Sequence, residues 1–305
     1  MRRLYIASCV VFLVGMLLPL SASKPDVDIG VSFGIKSGTI NELLMETDGT
    51  LVSKLTWNQQ FSPTIGAHAS VSLHHFSLTG SVLMAVPTQT GTMQDYDYQS
   101  DGTTIAYFSS HENHLLKDFT ATLKASGDIP LEMVTVTPFF AYTWQNRMFA
   151  AVNGYTQYPS SGFWTENDPK TYLTGIGLTY EQWLSFPEIG MQVTRQLTHP
   201  AMTVYFLGSW YPYMTITAMD HHFLRSLLFT DEMTGYGGKA TIGAQWEKAF
   251  HGTTDVRVEI SYEGIHAEGN TYEQYIGENS VKTLLAGYQG GTTTSLFSLM
   301  ISFAF

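Results

Sequence analysis

Much of the chain is written in a two-residue rhythm. In its last eleven residues, Phe297, Leu299, Ile301, Phe303 and Phe305 take every second place from 297 onward, with small or sulfur-bearing residues between them. Successive side chains on a strand point to opposite faces, so this spacing predicts a strand with one wholly apolar face. Segments rich in β-branched, aromatic and small residues recur at 27–38, 51–73, 76–86, 115–125, 133–152 and 172–186, the last continuing into 189–198. Others lie at 202–218, 239–248, 254–266 and 296–305, which gives about ten strands. The links between them alternate in length. Short ones fall at His74-His75, 128–132, His199-Pro200 and 250–253, and long polar ones at 87–114, 153–170, 219–237 and 267–294, with a shorter one at 39–50.

The first 23 residues break this rhythm. Arg2 and Arg3 precede an apolar run from Leu4 to Leu20, and Ser21-Ala22-Ser23 offers small residues for cleavage before Lys24. This order reads as a signal peptide over 1–23, and the run is short for a transmembrane anchor. The mature domain is then 24–305. The single cysteine, Cys9, lies within the signal, so disulfides and thiolate metal sites are excluded from the mature chain.

Charged residues make up 13% of the sequence, about half the share usual for a soluble domain, while aromatics are plentiful. An exported chain that is poor in charge, rich in aromatics and without a later spanning helix fits an all-β antiparallel transmembrane β-barrel of the outer membrane. Short turns on one side and long extracellular loops on the other are the asymmetry such barrels carry. The formal charge of −11 becomes −13 without Arg2 and Arg3, which argues against nucleic acid and favours cationic partners.

Two charged clusters stand out, and the register of short and long links places both on the outer side. Asp95 and Asp97, two apart, point the same way on a strand. Carboxylates so close resist joint ionisation, and one can keep a proton for acid–base work. Asp220 and His222 share that offset, and a carboxylate can orient an imidazole that takes a proton from water. His221, next to them, leaves open which ring matters. A metal held by Asp220, His221, His222 and His111 or His114 is the other reading, but the spacings match no metalloprotease helix, so no metal is expected. A Gly-x-x-x-x-Gly-Lys phosphate loop is absent from the sequence.

These residues resemble those of the omptins, ten-stranded outer-membrane endopeptidases. Ser37-Gly38 with Glu42 resembles the end of the family's first strand, and Lys54-Leu55-Thr56-Trp57 its second. The stretch from Gly91 to Tyr98 resembles the Asp-x-Asp-aromatic element, with Ser109-Ser110-His111 following it, and Asp220-His221-His222 resembles the Asp-x-His element. Ile176-Gly177, the stretch from Pro187 to Gly190, Gly269-Asn270-Thr271 and the terminal Phe305 agree in order. The resemblance implies a water held between Asp95–Asp97 and Asp220–His222, with no cofactor and no covalent intermediate. It implies a pocket for Arg or Lys in which Glu42 supplies one carboxylate; Ala218 stands where the family has the other, which weakens the expected basic preference. It also implies lipopolysaccharide binding that supports activity. Arg147 matches one of the basic lipid contacts, while another falls near Trp183. The implied partners are cationic peptides or proteins and outer-membrane lipid, with the barrel acting as a monomer. An adhesin or binding barrel on the same scaffold is the alternative, and a porin is disfavoured by the modest strand number.

Overall fold

The computed structural model describes residues 25–160, 162–198, 201–250, 254–277 and 280–305. The signal reading at 1–23 lies outside them, as do His199, Pro200 and 251–253 of two predicted links.

Twelve strand segments follow one another: β1 (Asp26–Glu46), β2 (Leu51–Leu73), β3 (Phe76–Ala85), β4 (Thr88–Tyr98), β5 (Ile105–Gly127), β6 (Ile129–Pro130), β7 (Thr135–Gln157), β8 (Lys170–Thr198), β9 (Ala201–His222), β10 (Leu227–Phe250), β11 (Thr254–Tyr275) and β12 (Thr283–Ala304). Each main strand runs antiparallel to its neighbours. The ring closes where β1 pairs with β2 on one side and β12 on the other, as in Phe33↔Ile65 and Phe33↔Ile301. β3 and β4 are one barrel strand interrupted at Val86-Pro87. Both pair with β2 and with β5, and Pro87 has no N–H to give the ladder. β6 is a two-residue appendage on β7. Ten strands therefore form the wall, as the sequence predicts.

The outward positions carry the apolar rhythm. Val27, Ile29, Val31 and Phe33 on β1, Phe206, Trp210 and Tyr213 on β9, and Phe297, Leu299 and Ile301 on β12 are all exposed. They cluster toward the short-turn end of each strand and form the lipid-facing band. The strands continue well past it. A strand of 23 residues such as β2, rising about 3.3 Å per residue at a tilt of about 40°, stands roughly 55–60 Å tall against an apolar band of about 25 Å.

This height corrects the sequence reading of the long links. Most of 39–50, 87–114, 219–237 and 267–294 is strand, not loop: β1 runs to Glu46, β5 begins at Ile105, β10 at Leu227, β11 runs to Tyr275 and β12 begins at Thr283, whereas 153–170 is loop beyond Gln157. Above the membrane both faces of the wall can meet water, so the apolar alternation fades while the backbone ladder persists.

Inside, an apolar plug fills the upper barrel. Trp57 lies between Phe149 and Tyr180, with ring centroids 5.7 and 5.8 Å away, and Ile40, Met93, Leu115, Met214 and Ile216 pack around it, all almost fully buried. A polar layer lies below. Lys36 Nζ donates to Asp118 at 2.7 Å, and Gln145 donates to the same carboxylate at 3.0 Å. A polar cavity of about 530 Å³ opens beneath, lined by Ser32, Lys36, Glu188, Lys239 and Glu259 among others. The plug closes the bore between this cavity and the outer mouth.

Arg147 belongs to the interior, which corrects its assignment to the lipid face. It is 1% exposed, and its guanidinium donates to Gln182 Oε1 at 2.6 Å and Thr294 Oγ1 at 2.8 Å. The register explains the error: Arg147 faces Gln182 across β7 and β8, whereas the outward pair beside it is Asn146 and Trp183. On the outer surface there, Lys117 is held by Glu181 at 2.6 Å.

Candidate active site

The site sits on top of the apolar plug, in the part of the barrel that stands above the lipid-facing band. β4 brings Asp95 and Asp97 to the inner face, two residues beyond Met93 of the plug and paired with Leu55 and Ser53 of β2. β9 brings Ala218, Asp220 and His222 to the same face at its outer end, above Met214 and Ile216. β4 and β9 share no ladder. Asp95 nevertheless feels the charges of both His222 and Asp220, so the two pairs meet across the mouth. The offset of two in each pair does what the sequence suggests: it puts both members on one side of their strand.

His222 Nε2–H donates to Asp220 Oδ2 at 2.5 Å, and both side chains are buried. The other ring nitrogen, Nδ1, accepts from Arg225 Nη2 at 3.0 Å. Because a guanidinium can only donate, this contact fixes the tautomer: Nε2 carries the proton and Nδ1 the lone pair. Arg225 comes from a 3₁₀ turn, Phe223–Arg225, that caps β9 before Ser226 turns the chain left-handed into β10. Sequence reasoning missed Arg225, which lies in a stretch read as loop. His221 lies on the opposite parity and packs against the Phe223 ring at 3.9 Å. Of the two adjacent histidines, the structure brings His222 to the carboxylates.

The electrostatics are those of a crowded acidic cleft. Asp95 is pushed up to about 7, first by loss of solvent and then by Asp97, with His222 and Arg225 pulling the other way. Burial also raises Asp97, against the opposing effects of Ser53, Arg225 and His222. The Ser53 hydroxyl lies 3.5 Å from Asp95 Oδ1. Two carboxylates so placed resist joint ionisation, and one can keep a proton.

Glu42, on β1, is buried on the same inner face above Ile40. Burial raises its carboxyl well above the usual range, followed by repulsion from Asp220, Asp231 and Asp95. Asp231 of β10 is a second residue the sequence reading missed. It is buried, accepts a hydrogen bond from Thr271, and lies directly across the ladder from Ala218. Burial pushes Asp231 up to about 7.

His111, a possible metal ligand on sequence, is on β5 next to this cleft. Its Nε2 lies 3.1 Å from Ser109 Oγ, and Nδ1 contacts the carbonyl of Asn153. A bulge on β7 makes that contact possible. Asn153 and Gly154 both have positive φ, and a Cβ on Gly154 would strike the Ser110 carbonyl at 2.1 Å, so only glycine fits there. His114 faces the other side of β5 with Glu112. Among the described residues, no cluster of three His, Cys, Asp or Glu side chains is placed to hold a metal ion.

The model of the omptin family matches residues 23–305 of this chain. Among solved structures, the outer membrane protease OmpT from Escherichia coli superposes with a TM-score of 0.77 at 16% identity, covering 93% of this chain and 99% of that one. The translocator domain of the autotransporter NalP from Neisseria meningitidis gives a TM-score of 0.38 at 8% identity, over 97% of this chain and 95% of that one. No curated protein matches the sequence.

Proposed function

The chain belongs to the omptin family, and from that premise we propose that it is an outer-membrane endopeptidase that hydrolyses peptide bonds with an activated water. The observation that carries this reading is the convergence of Asp95–Asp97 and Asp220–His222 from strands on opposite sides of the barrel mouth. A water between the pairs gives a proton to His222 Nδ1 as its oxygen attacks the scissile carbonyl. Asp220, accepting from Nε2–H, holds the ring and stabilises the imidazolium. The proton shared by Asp95 and Asp97 is donated to the oxyanion of the tetrahedral intermediate. When the C–N bond breaks, the leaving amine takes the proton from His222, and a hydroxyl of the collapsing gem-diol returns a proton to the Asp95–Asp97 pair. No covalent intermediate or cofactor enters this scheme.

Arg225 occupies Nδ1 in the free protein and must leave it for water to bind. Its positive charge also favours the ionised form of Asp95 and Asp97. Arg225→Gln is therefore expected to move the alkaline limb of the pH–rate profile to higher pH, because the pair then keeps its working proton longer. An unmoved limb would remove Arg225 from the electrostatics of the site.

Basic substrates fit the acidic cleft, with Glu42 facing the side chain next to the cut bond. For the lipid requirement we depart from the family expectation. Arg147 is turned inward and Lys117 is paired with Glu181, so neither offers a free charge to a lipid phosphate. The refolded barrel is expected to work in detergent alone; strict dependence on added lipopolysaccharide would contradict this. The chemistry is tested by hydrolysis in ¹⁸O-water with hydroxylamine present. One ¹⁸O in the new carboxylate and no hydroxamate supports direct attack by water, and a hydroxamate product would demand an acyl-enzyme instead.

A further inference from the structure

The cleft beside the catalytic pair has two buried acids on its flanks and small residues between them. Glu42 projects from β1 and Asp231 from β10. The wall separating them, β11 and β12, presents Ala267, Gly290 and Thr292, all buried. Gly290 is required for this arrangement. A Cβ there would lie 2.4 Å from Asp231 Oδ1 and 2.6 Å from Thr271 Oγ1, so the absence of a side chain makes room for the Asp231 carboxylate.

Glu42 Oε2 is fully buried and has no hydrogen-bond partner among the described residues. Asp220, Asp231 and Asp95 repel a charge on Glu42, and Asp220 repels one on Asp231. Burying such groups without a cation is costly, so the arrangement fits a cation that arrives with a ligand.

Ala218 and Asp231 are direct cross-strand partners. Side chains so placed start about 5 Å apart on one face. A carboxylate at 231 can therefore serve the space that one at 218 would serve, reached from the neighbouring strand. We propose that Asp231 is a specificity-determining residue of this protein: with Glu42 it forms a two-carboxylate receptor for the guanidinium of a substrate arginine, and it takes the place left by Ala218. Two acceptors on separate strands suit the planar fork of arginine better than the point charge of lysine. This rests on the endopeptidase reading for its substrate and on the register of β9 and β10 for its geometry.

The test compares kcat/KM for paired peptides with arginine or its neutral isostere citrulline before the cut bond. The wild-type barrel should prefer arginine. Hydrogen bonds to a charged partner contribute about 1.5–3 kcal/mol, so Asp231→Asn should lower the arginine-to-citrulline ratio by about ten- to a hundredfold. Adding Ala218→Asp to Asp231→Asn should restore much of it, since the charge returns from the opposite strand. Gly290→Ala, which displaces the carboxylate without changing charge, should lower the ratio too. Heat-modifiable migration on gels verifies that each barrel is folded.

A second readout does not need catalysis: agmatine, a small guanidinium, should bind wild type and bind Asp231→Asn at least tenfold more weakly. An unchanged ratio in Asp231→Asn, or unchanged agmatine affinity, overturns the proposal. Cleavage without any arginine preference overturns it while the endopeptidase reading survives. Agmatine binding that depends on Asp231, in a barrel that cuts no peptide, leaves the receptor in place and sinks the endopeptidase reading.

Discussion

Asp97→Asn is expected to reduce peptidase activity by roughly 10²–10⁴-fold while leaving a folded barrel, because it removes a carboxyl from the pair that shares the working proton. Asp95→Asn and His222→Ala should fall into the same range. Asp97 can be changed without disturbing the core: it lies above the Trp57 plug and keeps some exposure toward the cleft. His221→Ala is the internal control. Its ring packs at a tilt against Phe223 and takes no part in the hydrogen bond between His222 and Asp220. Activity lost in His221→Ala and kept in His222→Ala would show that β9 is registered one residue away from the arrangement described here. Asp220→Asn separates orientation from charge. An amide oxygen can still accept from Nε2–H, so binding of substrate should survive while kcat drops, because the imidazolium loses its counter-charge.

The largest effect on stability is expected from Lys36→Met. Asp118 is 3% exposed, and its carboxylate is held by Lys36 at 2.7 Å and by Gln145 at 3.0 Å. Removing the ammonium leaves a buried carboxylate with a single amide donor, a loss of about 3–5 kcal/mol. The double change Lys36→Met with Asp118→Leu should recover most of that loss, because no charge is then left unpaired. The midpoint of denaturant unfolding, followed by intrinsic fluorescence in detergent, reports both. If the single change costs no more than the double, the pair is solvated through the cavity below it and does not hold the strands together. This pair sits below the apolar plug, so neither variant should alter arginine preference.

What the sequence disclosed depended on whether a residue's meaning lay in its own strand or in its neighbour. The lipid-facing strands were legible because water and lipid on opposite faces impose a strict period of two, as in the run from Phe297 to Phe305. The pairs Asp95–Asp97 and Asp220–His222 were legible for a related reason: an offset of two keeps both members on one face wherever the strand begins. Above the membrane that contrast disappears, and β5, β10 and β12 were read as starting later than they do. Parity inside a strand is also invisible without register. Arg147 and Trp183 lie on opposite faces of the wall because Arg147 faces Gln182 across the ladder. Asp231 could be found only from its neighbour, since nothing in Thr-Asp-Glu-Met marks it as the partner of Ala218. A weak signal did exist. Asp231 and Met233 are offset by two, and Gly290-Gly291 in a strand marks a close approach. Arg225 gave none, because a single arginine in a turn is ordinary until an imidazole is found beside it.

The measurement that bears most directly on the central claim is cleavage of a mixed peptide library by the refolded barrel in detergent, beside Asp97→Asn, with products sequenced by mass spectrometry. The account predicts cuts that follow arginine, appear without added lipopolysaccharide and disappear in the Asp97 variant. A folded wild-type barrel that yields no cuts with or without lipopolysaccharide, or one whose cuts persist in Asp97→Asn, would contradict it. The first of these results would leave the acidic mouth as a binding or adhesion surface.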